Sequence, residues 1–147
     1  MAGDLDAGLA RYIDALERLD GTGVVALDLV MHRQIRFKDP FSDVTGIEQA
    51  QRVFAKLFAD CTDVRFSVTQ RFRDGAQAVL VWSMSYRLRR WPDKAPWTID
   101  GMSRLRLDEA TGLVTEHIDS WDAGQFYERL PLLGSVLGFI RRRIETK

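Results

Sequence analysis

The segment Gln34-Ile35-Arg36-Phe37-Lys38-Asp39-Pro40-Phe41 alternates apolar and polar side chains, as a strand with one buried face does. Asp39 sits on the wrong parity for a charge. It shares a face with Ile35, Phe37 and Phe41, so its carboxylate stands in a row of large apolar residues. Arg36 and Lys38 point the other way and cannot neutralise it directly. Apolar surroundings disfavour the ionised form and raise a carboxyl pKa, which turns an aspartate into an acid or base useful near neutral pH. The same residue has a structural alternative. Asp-Pro pairs start turns, and proline favours extended backbone in the residue before it.

A second constellation lies near the end of the chain, where Thr115, His117, Asp119 and Trp121 share one strand face. A histidine and an aspartate two residues apart could assist proton transfer. They fall short of the three or more protein donors a metal site needs, and the other histidine, His32, lies outside these strands, so no metal is expected. Trp82, Met84, Tyr86 and Leu88 form one face of another strand, with Ser83, Ser85, Arg87 and Arg89 opposite. Ile99, Gly101, Ser103, Leu105 and Leu107 align in a third. Such aromatic rows build core more often than ligand walls. Here, with Phe37 and Phe54, they are the candidates to hold a ligand near Asp39. Cys61 and Ser135 have no recognisable nucleophile context. No phosphate-cradling glycine loop is present, so no cofactor is expected.

Helices and turns must position these strands. Leu5, Leu9, Tyr12, Ile13, Leu16 and Leu19 recur at helical spacing behind a plausible N-cap, Asp4. Gly21-Thr22-Gly23 ends that helix, and a short second one is expected over Val24 to Met31. Thr45-Gly46-Ile47-Glu48 has the form of a capping box opening a third helix, which buries Ile47, Ala50, Phe54, Leu57 and Phe58. From Val64 the period changes to two, with Val64, Phe66, Val68 and Phe72 on one face. Asp74-Gly75 marks a hairpin, and strands follow over Gln77–Arg89, Trp97–Leu107 and Leu113–Trp121. Pro92 and Pro96 bracket a loop. The segment 123–147 reads as a C-terminal helical extension restarted by Pro131.

This order implies one α+β domain over 1–147: a curved antiparallel sheet wrapped around N-terminal helices, forming a cone with an internal pocket. The chain of 147 residues has 21 basic and 21 acidic side chains, so no net field draws it to nucleic acid. A single cysteine excludes an internal disulfide and points to a reducing compartment. The acidic start carries the wrong charge for a leader peptide, and no apolar run reaches the roughly 20 residues a bilayer span requires, so a cytoplasmic protein is expected. Leu130 to Ile140 is strongly apolar and ends in Arg141-Arg142-Arg143. It reads either as a helix over the sheet or pocket mouth or, across 130–143, as a weak contact with a membrane surface.

The order of elements resembles the nuclear transport factor 2-like superfamily, particularly its SnoaL-like and ketosteroid-isomerase-like members. Ala10-Arg11-Tyr12-Ile13 is similar to the isomerases' segment carrying a catalytic tyrosine, and Lys38-Asp39-Pro40-Phe41 to the segment carrying the proton-abstracting aspartate. Leu107-Asp108-Glu109 and Gly112-Leu113-Val114 are similar to their penultimate hairpin. Trp121 falls where those enzymes have a pocket tryptophan, and His117 where they have an apolar pocket residue. The resemblance implies Tyr12 as hydrogen-bond donor, Asp39 as base, and a homodimer formed through the open sheet face. The position of the protonated acid that completes the isomerases' oxyanion hole is Ser103 here; nearby Asp100 could replace it only if a bulge shifts it, since its parity points it away.

Two functional expectations follow. One is acid–base chemistry on a small apolar molecule, as an isomerase, dehydratase, cyclase or epoxide hydrolase, with Asp39 moving the proton and Tyr12 or His117 assisting. Phe37, Phe54, Trp82, Met84, Tyr86, Ser103, Asp119 and Trp121 would surround the ligand. The other is a non-catalytic module of the same fold that binds a small molecule or a protein.

Overall fold

The computed structural model of the chain describes residues 3–91 and 94–145. Pro92, half of the expected loop bracket, lies outside them.

The first helix, α1 (Leu5–Glu17), starts at Asp4, whose carboxylate accepts the Ala7 N–H at 3.1 Å. Its apolar stripe buries Leu9, Tyr12, Ile13 and Leu16 against the inner face of the sheet. Helix and sheet approach closely because two glycines meet: a Cβ on Gly8 would stand 2.5 Å from the carbonyl oxygen of Gly112. Gly112 itself has φ +72°, a conformation that favours glycine, in the turn between the last two strands.

The expected second helix is a 3₁₀ segment, Val24–Leu29, and the chain turns into strand β1 (Met31–Lys38) three residues before Gln34. A short strand follows, β2 (Asp43–Thr45), which pairs antiparallel with β1. Arg36 and Asp43 clasp that pair through two hydrogen bonds of 3.1 and 3.0 Å. The expected capping box is not made. Thr45 belongs to β2, and the N-cap of α2 (Ile47–Asp60) is Gly46, with no side-chain cap.

Four long strands complete the sheet: β3 (Cys61–Asp74), β4 (Gln77–Leu88), β5 (Trp97–Leu107) and β6 (Val114–Trp121). The order is β2-β1-β6-β5-β4-β3. The sheet is mixed rather than wholly antiparallel, because β1 runs parallel to β6. Helix α2 and four strands intervene between β1 and β6, which provides the long crossover that parallel neighbours need. The sheet is not closed, so β2 and β3 are its edges.

Register shifts reassign two expected faces. The β3–β4 pairing slips between Val68 and Gln70, so Phe72 leaves the inner face and is exposed. The β5–β6 pairing slips between Arg106 and Leu107. Val114 and His117 are then both buried, while the Thr115 hydroxyl donates to the carbonyl of Arg106 at 3.1 Å instead of lining the inner face.

After β6 come α3 (Ala123–Glu128) and α4 (Leu133–Ile144). Helix α4 packs its glycine edge on α3. Gly134 and Gly138 are buried, and a Cβ on Gly134 would fall 2.0 Å from the carbonyl oxygen of Glu128. Leu133, Val136, Phe139, Ile140 and Ile144 are exposed. Arg141 holds Glu128 at 2.7 Å, and Arg143 lies over the Phe139 ring. No helix among the described residues is long and apolar enough to cross a membrane.

Candidate active site

The concave side of the sheet, closed by α1 and α2 and by Phe126 of α3, encloses a cavity of about 590 Å³. That is the size of a site for a drug-sized molecule. Phe37, Phe54, Phe66, Trp82, Met84 and Trp121 are among its apolar walls. Asp39, His117 and Asp119 reach it from neighbouring strands. The parallel register pairs Phe37 with His117 and Lys38 with Ile118. One step further along both strands brings Asp39 beside Asp119.

His117 is at the centre of a buried chain of polar side chains. It is only 3% exposed, and the Phe37 and Tyr12 rings pack on it. Its Nδ1 lies 2.6 Å from the hydroxyl of Tyr12, and its Nε2 lies 2.6 Å from Asp119 Oδ1. The Ser103 hydroxyl donates to the same Oδ1 and accepts the indole N–H of Trp82 at 2.8 Å. The order is Trp82–Ser103–Asp119–His117–Tyr12, running from β4 through β5 and β6 to α1. With Asp119 as a carboxylate, Nε2 carries the proton, and Nδ1 accepts from Tyr12. Burial, with the negative charge of Asp119 behind it, holds the Tyr12 hydroxyl well above the usual phenol range. It remains a neutral donor.

Asp39 is held differently. It lies just past the end of β1, and its Oδ1 accepts the backbone N–H groups of Phe41 and Ser42 at 2.8 and 2.7 Å. This is the turn before Phe41 that the Asp-Pro pair announced. The carboxylate also lines the cavity, so the turn residue faces the pocket as well. Desolvation raises its pKa, the two backbone hydrogen bonds pull it down, and the charge of Asp119 pushes it up again. The net direction is upward.

The two carboxylates share one arrangement. Each engages the protein through Oδ1 alone, and among the described residues neither Oδ2 has a partner. Neither Oδ2 is fully buried. Each residue therefore presents one fixed and one free oxygen.

Two expected site residues stand behind the wall. Tyr12 is fully buried and does not line the cavity, because its hydroxyl is committed to His117. Ser103 is likewise fully buried, so it touches Asp119 and Trp82 instead of a ligand. Asp100 is exposed on the outer face, since the β4–β5 register runs without a bulge past it. Phe37, Phe54, Trp82, Met84, Tyr86, Asp119 and Trp121 do line the cavity. Strand parity missed Phe66 of β3 as a wall residue, although it had already placed Phe66 on an apolar face. No cluster of metal-ligating side chains occurs among the described residues.

Residues 9–117 match the SnoaL-like domain. The chain belongs to this family. Its superfamily is the nuclear transport factor 2-like one that the order of elements indicated. Solved structures show how widely the SnoaL-like fold is shared. TsrD from Streptomyces laurentii is 18% identical, covers 85% of this chain and 96% of that one, and superposes with a TM-score of 0.71. A protein with a ketosteroid isomerase-like fold from Catenulispora acidiphila is 17% identical over 82% of this chain and 88% of its own, with a TM-score of 0.69. An LEH-like epoxide hydrolase of M. tuberculosis is 11% identical over 97% and 96%, with a TM-score of 0.64. At such identities the likeness is one of fold. No curated protein matches the chain.

Proposed function

We propose that this SnoaL-like protein catalyses proton transfer on a small lipophilic molecule, with Asp119 and Asp39 as the reacting groups. The observation that carries this reading is the pair of half-anchored carboxylates facing one apolar cavity. Their anchors differ, two backbone N–H groups for Asp39 and the Ser103 and His117 side chains for Asp119, and groups in different environments divide into acid and base. Asp39, with its raised pKa, is the proton donor to a substrate oxygen. Asp119 is the base, held in place by Ser103 and His117, and its free Oδ2 takes a proton from carbon or from a water molecule. In an enolisation, Asp119 removes the proton next to a carbonyl while Asp39 protonates the carbonyl oxygen. In an epoxide opening, Asp119 takes a proton from the attacking water as Asp39 protonates the ring oxygen. The same two roles thus serve an isomerase, a dehydratase, a cyclase or an epoxide hydrolase. The LEH-like epoxide hydrolase among the fold relatives is compatible with the second scheme. His117, Tyr12, Ser103 and Trp82 position Asp119 and do not themselves meet the substrate oxygen.

The test is deuterium wash-in from D2O into a panel of lipophilic ketones, alongside hydrolysis of lipophilic epoxides, both followed by mass spectrometry. Asp119→Asn lowers turnover by about 10²–10⁴-fold. Equal turnover by the wild type and Asp119→Asn would overturn the assignment of the base.

One observation favours a non-catalytic binding module instead: Asp39 Oδ1 closes a turn through two backbone N–H groups, a role that needs no chemistry. That reading predicts saturable binding, no product from any compound in the panel, and ligand affinity insensitive to Asp119→Asn.

A further inference from the structure

The cavity does not end at the carboxylates. Asp119 pairs with Ser103 across β6 and β5, and Ser103 pairs with Leu80 across β5 and β4. Asp119 and Leu80 thus lie in one row across the sheet. Tyr86 is six residues further along β4 and lines the same cavity. At about 3.3 Å per residue, the path along the strand is roughly 20 Å, shortened in a straight line by the curvature of the sheet. Trp82 and Met84, which also line the cavity, fill the intervening inward positions of β4 and offer an apolar wall between the two ends.

Tyr86 differs from Tyr12 in the state of its hydroxyl. The residue is 3% exposed, yet among the described residues the hydroxyl has no hydrogen-bond partner. Nor is it one of the fully sealed polar atoms. A phenol that is nearly all buried usually finds a partner. Cys61 and Arg129 are the charged or polar neighbours of Tyr86; Arg129 stacks over Trp97 at 4.2 Å, while its own N–H groups go to the carbonyls of Pro96 and Ala95. The Trp97 ring lies 6.1 Å from that of Tyr86, and its buried N–H also lacks a partner among the described residues. The Tyr86 hydroxyl and the Trp97 N–H are thus two neighbouring donors without an acceptor among the described residues.

We infer that Tyr86 is a distal binding residue whose hydroxyl donates to an oxygen at the far end of the ligand. The ligand is then an elongated apolar molecule with two oxygen functions, one at the carboxylates and one at Tyr86. This rests on the reading of the cavity as a lipophilic site, but not on whether chemistry follows binding.

The experiment compares 1,10-decanediol with 1-decanol as displacers of N-phenyl-1-naphthylamine fluorescence, for the wild type and Tyr86→Phe. The substitution keeps the ring packed on Trp97 and removes only the hydroxyl. Tyr86→Phe is expected to weaken the diol by about three- to ten-fold, the worth of one hydrogen bond, and to leave the mono-alcohol within about two-fold. If both alcohols bind and Tyr86→Phe changes them equally or not at all, the Tyr86 assignment falls while the lipophilic site stands. If neither displaces the dye from the wild type, the lipophilic site falls and takes the assignment with it.

Discussion

The hydroxyl of Tyr12 lies 2.6 Å from Nδ1 of His117, joining the first helix to the last strand inside the core. That contact fixes the imidazole so that Nε2 faces Asp119. It relocates the tyrosine from the expected ligand donor to the rear of the site. A histidine in this position must satisfy both ring nitrogens within the protein, and here it does.

Tyr12→Phe therefore strands a buried Nδ1. A loss of about 1–3 kcal/mol is expected, the cost of an unsatisfied buried polar atom. Urea denaturation measures it, and nitrogen-15 shifts of the His117 ring report a changed tautomer population. Unchanged stability together with an unchanged tautomer would mean that the Tyr12 contact holds nothing in place.

Asp39 has a folded-state pKa raised above its ordinary value, chiefly by desolvation. Below the unfolded pKa both states are protonated and the group contributes nothing. As pH rises above that value, the unfolded chain ionises first, so ionising Asp39 works against folding. The penalty grows up to the folded pKa and then stays constant. Asp39→Asn keeps an oxygen able to accept the Phe41 and Ser42 N–H groups. It is expected to be as stable as the wild type or more so at neutral pH, with the difference vanishing in acid. Denaturation at several pH values tests this. A variant that loses stability at neutral pH and regains it in acid would reverse the sign and show that the ionised form is the favoured one.

Gly101 has no room for a side chain. A Cβ there would stand 2.7 Å from two ring atoms of Trp82 and 3.0 Å from the carbonyl oxygen of Ser120. Gly101→Ala must displace the indole and break its 2.8 Å bond to Ser103. Overpacking of this kind costs about 1–3 kcal/mol, and tryptophan fluorescence should shift as Trp82 moves. Wild-type stability and an unchanged spectrum would show that the wall yields without strain.

Cys61 lines the cavity, but burial pushes its thiol up to about 11. At pH 8 only about one thiol in a thousand is then ionised. Alkylation of the folded protein by iodoacetamide should be far slower than that of the urea-unfolded chain. Equal rates would place the thiol in open solvent.

Local pattern made several parts of this molecule legible. Helical spacing placed α1 and its cap at Asp4, and period-two alternation placed the strands and their inward rows. The order of elements indicated an α+β fold, and the Asp-Pro pair marked a turn that the structure contains. Each of these depends on neighbours a few residues apart, and such relations are written in the chain.

Tertiary structure decided the rest, because it depends on pairing between distant segments. The parallel pairing of β1 with β6 brings Asp39 to Asp119, residues 80 positions apart, and no periodicity encodes it. Two register slips moved Phe72 and Thr115 off the faces that strict alternation gave them, since one extra residue in a strand inverts everything beyond it. Helical spacing and strand parity put Tyr12 and Ser103 on inward faces, and both are buried. Only the folded chain shows that their hydroxyls meet His117 and Asp119 rather than a ligand. A buried hydroxyl takes the nearest partner in space, and what is nearest in space is fixed by how helices and strands pack.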